Sequence, residues 1–429
     1  MTRTRTKNKK AERLTSTVTV DSSSTPASSS QPTIASLLTK AQDLIIQTDY
    51  ALAHKFLDRI LVRTDGSTRE ERAQAREMLG VVLLEEGKVD EARQAFQALL
   101  PPSSDALPSP PASAHLYLAQ LAEEPQQALT HYETAIEILK GQLKNSTSPA
   151  REAGAEGEDA DAEVRGNIVR AYVGMVEVWM DPSLDLCFDP AASSTCDTLL
   201  SAALSYDPIH TEALQALASV RLSQSNPPGA RTALLRALSA WHALPAADPR
   251  VPPLPVKLSL SRLLLETGML RNAVDVLSGC IEADDENVEG WYLQGWAFWL
   301  MAERTKDGKG VDVFVKGPSE ARSEAEVEAA EAGEAFEQGL VGAGAEEWEQ
   351  LGWEDLARDA RDCLETCKAL HRRQDDPDAP LLEHANELIA GLEALGIQPS
   401  PIDGSEGGDD DDEWEEASDD EDGDVEMGE

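Results

Sequence analysis

Small and large side chains recur along this chain at a fixed spacing, and that recurrence limits its possible folds more than any other feature. The clearest copy runs from Arg76 to Ser104. Leu79, Gly80 and Leu83 share one helical face, Glu86-Gly87-Lys88 supplies a turn, and Ala92, Phe96 and Leu99 follow at i, i+4 and i+7 on a second helix. Pro101-Pro102 then stops that helix. A small residue lets two helices approach and a large one fills the gap beside it, so each unit is a hairpin that buries its apolar face only against a neighbour. Upstream the arrangement returns as Leu37, Ala41, Leu44 with Ala53, Leu57, Ile60. Downstream it returns as a shortened Leu116–Leu121 helix with Ala128, Tyr132, Ala135, and as Val164–Trp179 with Cys196, Leu200, Ala203. Leu214, Leu217, Ala218 precede Ala230, Leu234, Ala237, and Leu260, Ser261, Leu264 precede Ala273, Leu277, Cys280. The last copy opens with Trp291, Gly295 and Phe298, and its mate, carrying Ala332, Phe336 and Gly339, is expected after an acidic insertion near Glu303–Glu326.

About seven such units in series resemble the tetratricopeptide (TPR) repeat, a helix-turn-helix of roughly 34 residues. The fold class expected is therefore all-α: a TPR-like helical-hairpin superhelix (solenoid) with a disordered basic N-terminus and an acidic C-terminal tail. Composition agrees, since 41% of residues are hydrophobic but only 5% aromatic, leaving a core of Leu, Ala and Val. The expected organisation is a leader at 1–33, repeats at 34–345, capping helices at 346–397 (Glu346–His371 and Leu381–Leu395) and a tail at 398–429. The Pro-rich stretches Pro101–Pro111 and Pro245–Pro255, and the Gly/Glu-rich Gly141–Glu163, are expected to be loops inserted in the array.

Charge is the second constraint. Lys and Arg total 37 against 79 Asp and Glu, a formal net charge of -42. The segment Asp403–Glu429 holds 16 carboxylates and no Lys or Arg, which leaves -26 on the remainder. A polyanion repels nucleic acid and anionic lipid and attracts basic protein surfaces. Five scattered cysteines argue for reduced thiols rather than a disulfide framework, and no apolar run reaches the length of a membrane span. The basic start, Arg3, Arg5, Lys7, Lys9 and Lys10, is not followed by an apolar stretch, so a secretory signal is not expected; a nuclear import signal suits it, with an RNA-binding leader or a merely solubilising disordered segment as alternatives.

The chain contains no Gly-Lys-Ser/Thr phosphate loop, no Gly-x-Ser-x-Gly elbow and no His-Glu-x-x-His pair. Asp307-Gly308-Lys309-Gly310 has only the outline of a phosphate loop, without the Ser/Thr that should follow it. Cys363, Cys367 and His371 fall at i, i+4 and i+8 on one helical stripe, but a structural zinc needs four ligands, and core packing explains them better. No enzyme, cofactor or metal is expected.

Binding residues are sought on first helices, which line the groove of such arrays. Tyr292, Trp296 and Trp299 form a second aromatic face beside Trp291, Gly295 and Phe298, suited either to anchoring a partner or to being covered by neighbouring chain. Glu77, Glu85, Glu212 and Glu289 also stand on first helices and would complement a Lys/Arg-rich ligand. The tail run Asp409, Asp410, Asp411, Asp412, Glu413, Trp414, Glu415, Glu416 offers a loose hold on a basic partner.

Basic leader, irregular TPR units, acidic insertion and Asp/Glu-rich end together resemble the fungal assembly chaperones of large-subunit ribosomal protein L-four, from Leu37 to the acidic end. The resemblance implies a dedicated escort that holds the long basic loop of the ribosomal protein, shields it and accompanies it from cytoplasm to nucleus. Also expected are a monomer in the absence of client, contact of the basic leader with a nuclear import receptor and, from the charge, no direct nucleic-acid or membrane partner. Rival readings are a co-chaperone gripping the C-terminal carboxylate of a heat-shock protein, a scaffold, and a histone-directed acidic chaperone. The first needs converging Lys, Arg and Asn, whereas these first helices offer only isolated cations such as Lys40 and Arg262.

Overall fold

A computed structural model describes residues 32–63, 67–103, 106–146, 155–311 and 351–400; the side chains of 145–146 and 155–159 are not included. The leader cluster Arg3–Lys10, the tail run Asp409–Glu416 and the expected mate at Ala332, Phe336 and Gly339 lie outside these residues. All regular structure among them is helical. The chain divides into two compact units, one ending at Ala114 and one beginning at His115.

The first unit holds α1 (Ile34–Ile46), α2 (Tyr50–Val62), α3 (Arg69–Glu85) and α4 (Val89–Gln97). The first three begin where the sequence supplies a side-chain cap for the orphan N–H groups of a first turn, whereas α4 has none. Thr33 caps α1, Asp49 caps α2, and Thr68 with Glu71 forms a reciprocal capping box on α3. Ala41, Ala53, Leu57, Ile60, Ala92, Phe96 and Leu99 are buried, as the spacing predicts. Gly80 lies directly under Phe96: a Cβ there would stand 2.5 Å from the ring.

The second unit opens in α5 (Ala112–Gln120), whose first turn carries the division between units. It continues through α6 (Pro125–Ser146), α7 (Ala155–Met180), α8 (Ala192–Tyr206), α9 (Thr211–Ser223), α10 (Pro227–Ser239), α11 (Leu254–Glu266), α12 (Leu270–Ala283) and α13 (Val288–Lys306). The described residues end with α14 (Trp353–Gln374) and α15 (Ala379–Ala394). One apolar cluster runs from Leu214 on α9 through α10 to α13 and on to Ile397 beyond α15. Two buried guanidiniums finish helix ends that would otherwise leave bare carbonyls. Arg231 donates to the Thr267 carbonyl at 3.1 Å, and Arg361 to the Ile397 carbonyl at 2.6 Å.

Four of the hairpin turns share one geometry. Four helices end in three-residue turns whose middle residue is left-handed: Thr48 (φ 58°), Gly87 (φ 74°), Ser225 (φ 57°) and Gly268 (φ 71°). The following N–H reaches back to a carbonyl of the last helical turn, as Lys88 does to Leu83 and Asn226 to Arg221, both at 2.8 Å. The same turn follows α13, with Gly308 at φ 69° and the Lys309 N–H on the Arg304 carbonyl. Asp307-Gly308-Lys309 thus ends α13 with the same helix-terminating turn and is not a phosphate loop.

Among the described residues the helix that packs along α13 is α14, the first of the two helices expected as caps. Gly295 faces Leu364, where a Cβ would stand 2.7 Å from Cγ. Ala360, Leu364 and Cys367, all buried, reproduce the spacing of Ala92, Phe96 and Leu99. Beyond that helix, α15 lies against both α14 and α13.

Candidate functional site

First helices of consecutive hairpins in the second unit touch directly: α7 meets α9, α9 meets α11, and α11 meets α13. This row is the surface on which a bound chain would meet side chains from several repeats at once. Glu177, near the end of α7, is the feature that sequence reasoning missed. Its side chain is exposed, yet its carboxyl is held above the ordinary range, first by desolvation and second by the charge of Glu212 on α9. Neither Glu177 nor Glu212 has an ion-pair partner among the described residues.

His210, at the N-cap of α9, lies beside this pair. Burial holds its pKa below the usual histidine value, against the pull of Glu212 and Asp207, and its Nδ1 is buried with no hydrogen-bond partner among the described residues. Tyr132 is pushed up to about 12 by burial and, secondarily, by Glu177. Two carboxylates thus stand on neighbouring first helices, each within electrostatic reach of a desolvated polar ring, Tyr132 or His210. Such a site favours an incoming cation.

The other anticipated residues are distributed differently. Glu77 is half-buried in the first unit and accepts a hydrogen bond from the Ser113 hydroxyl, while Glu85 is exposed at the end of α3. Glu212 is half-buried in the first turn of α9. Glu289 is ion-paired with Arg262 of α11, so it is not the open groove carboxylate the sequence suggested. Tyr292 and Trp296 likewise do not face an open groove, because α15 covers them. The Tyr292 hydroxyl meets His384 Nδ1 at 2.7 Å, and the His384 ring lies edge-on to Trp296 with centroids 5.4 Å apart. Trp299 is half-buried against the main apolar cluster. Spacing alone identified this face but could not reveal its occupant.

The Cys363, Cys367 and His371 stripe is core. The Cys363 thiol faces the Gln294 side-chain carbonyl at 3.9 Å, and His371 Nε2 lies 3.1 Å from the Asp378 carbonyl. Desolvation pushes both thiols up to about 12, which leaves them protonated and inert at neutral pH.

Comparison with known proteins places this geometry in a family. Residues 38–108 match the tetratricopeptide repeat family. A Schizosaccharomyces pombe protein named "Probable assembly chaperone of rpl4" is 32% identical over 254 residues, covering 59% of this chain and 71% of that one. An Emericella nidulans protein of the same name is 49% identical over 112 residues, but that match spans only 26% of this chain and 29% of the relative. A solved structure entitled "Assembly Chaperone of RpL4 (Acl4) (Residues 1-338)" is 30% identical, with a TM-score of 0.55, and is covered over 99% of its length by 65% of this chain. With its repeat turns, its row of first helices and these relatives, the chain belongs to the family of assembly chaperones of rpl4.

Proposed function

We propose that this protein binds the rpl4 of its own organism and shields it until large-subunit assembly, acting by binding and without a catalytic step. The observation that carries the reading is the chain's relationship to assembly chaperones of rpl4, set beside a row of touching first helices that carries Glu177 and Glu212. Burial, with the charge of Glu212 second, makes Glu177 costly to ionise in the unbound protein. A Lys or Arg of the client neutralises the pair through charge-assisted hydrogen bonds, and the excess of 79 acidic over 37 basic residues draws such a client in from a distance. Ribosomal RNA, a denser polyanion, then competes for the same cations and drives release.

Two accompanying roles belong to the same proposal. The run Asp409–Glu416 supplies a second, loose hold on the basic client, and Arg3–Lys10 recruits an import receptor that takes the pair from cytoplasm to nucleus. The carboxylate-gripping co-chaperone reading loses support, because Arg262, one of its few groove cations, is tied to Glu289.

Charge reversal tests the reading. With Glu177→Lys and Glu212→Lys combined, recovery of rpl4 with the tagged protein should fall at least about tenfold while helix content is retained. Unchanged recovery contradicts the assignment.

A further inference from the structure

The turn joining α7 to α8 departs from its counterparts. Hairpins α9–α10 and α11–α12 turn through residues 224–226 and 267–269, whereas this one takes residues 181–191. The extra residues form two 3-10 turns, Pro182–Leu184 and Leu186–Phe188, held by their own polar groups. The Asp181 carboxylate accepts from the Ser183 N–H at 2.8 Å, and the Asp189 carboxylate from the Ala191 N–H at 2.7 Å. Asp185 takes a left-handed φ of 61°, a conformation its Cβ disfavours, and its carbonyl accepts from the Phe188 N–H. Leu186 anchors the loop in the cluster of Leu129, Tyr132 and Met175.

All this organisation leaves Phe188 in water, 74% exposed, beside exposed Pro190 and Ala191. Asp185 and Asp189 flank it, both exposed, and no Lys or Arg occurs between Arg170 and Arg221. Hairpin packing does not need the loop, since its neighbours turn in three residues. An ordered loop that accepts backbone strain to present one aromatic ring between two carboxylates has the form of a docking element.

We propose that Phe188 makes a further contact with the client, entering an apolar pocket rimmed by Lys and Arg on the folded body of the basic protein, with Asp185 and Asp189 pairing to the rim. A single projecting ring needs a concave apolar pocket, which a folded partner supplies and an extended basic strand does not. The inference rests on rpl4 being the client.

The test compares binding of the full chain to intact rpl4 and to a Lys/Arg-rich peptide cut from it, by titration calorimetry. Phe188→Ala should weaken binding of intact rpl4 about tenfold and leave the peptide unchanged. Phe188→Leu should restore most of the loss, and thermal melting should not move for either variant. Equal affinity of wild type and Phe188→Ala for intact rpl4, or equal weakening for protein and peptide, overturns the docking role. A wild-type chain that binds neither partner instead defeats the proposed function, and this inference with it.

Discussion

Glu177 is exposed, carries a raised pKa and has no ion-pair partner among the described residues, so its effects on stability and on binding should oppose one another. A carboxyl whose folded pKa exceeds its unfolded one penalises the folded state when ionised; the penalty is present above the folded pKa and relieved as pH falls through it. Glu177→Gln should therefore raise the melting temperature at pH 7 and lose that advantage as the solution is acidified through the raised value. The same substitution should weaken client binding several-fold at pH 7. A variant that is both less stable and unchanged in binding would show the carboxylate to be structural. Ser225 offers an independent residue-scale check, because it is a non-glycine in the left-handed turn position that Gly87 and Gly268 fill elsewhere. Ser225→Gly should stabilise by about 1 kcal/mol in a denaturant titration, the order of the left-handed penalty it relieves. At this scale the sequence revealed residue types and faces but not neighbours. Nothing local to Glu289 announces Arg262, and nothing local to Tyr292 announces His384, which lies 92 positions away. Glu177 was passed over because it makes its charge pair with a different helix.

Among elements, close approach between helices is the recurring device, and it can be tested at a glycine that is crowded and one that is not. A Cβ on Gly295 would meet Leu364 at 2.7 Å, whereas one on Gly279, on α12, meets nothing within 4 Å. Gly295→Ala should destabilise by about 1–3 kcal/mol through overpacking. Gly279→Ala should be neutral or stabilising by about 0.5–1 kcal/mol through helix propensity. Equal effects at both sites would contradict the pairing of α13 with α14. The hairpins before the insertion were readable from sequence because their two helices are separated by only a few residues, keeping small and large positions in register. Beyond Lys309 that register breaks, and Ala332, Phe336, Gly339 offer the same local pattern as Ala360, Leu364, Cys367. Sequence does not rank the two, whereas packing shows Leu364 of α14 against Gly295 of α13. The irregular α7–α8 turn was equally hidden, because Asp, Pro and Ser signal a turn without stating how far it projects.

For the molecule as a whole, the fold class was legible because repetition multiplies a weak signal: one amphipathic hairpin is common, and several in series with the same turn are not. The partner was legible only as chemistry, through a charge of -42 that calls for a basic ligand and names none. Family membership supplies the candidate client, and the row of first helices supplies a surface on which to hold it. An account built on neutralising carboxylates has a clear signature in salt, since exposed charges are screened within about 10 Å at 0.1 M ionic strength and about 3 Å at 1 M. The most direct measurement is the affinity of the purified full chain for purified rpl4 as salt is raised across that range. The account predicts a saturable complex at low salt whose affinity falls at least about tenfold by 1 M. Absence of a complex, or an affinity indifferent to salt, would contradict it.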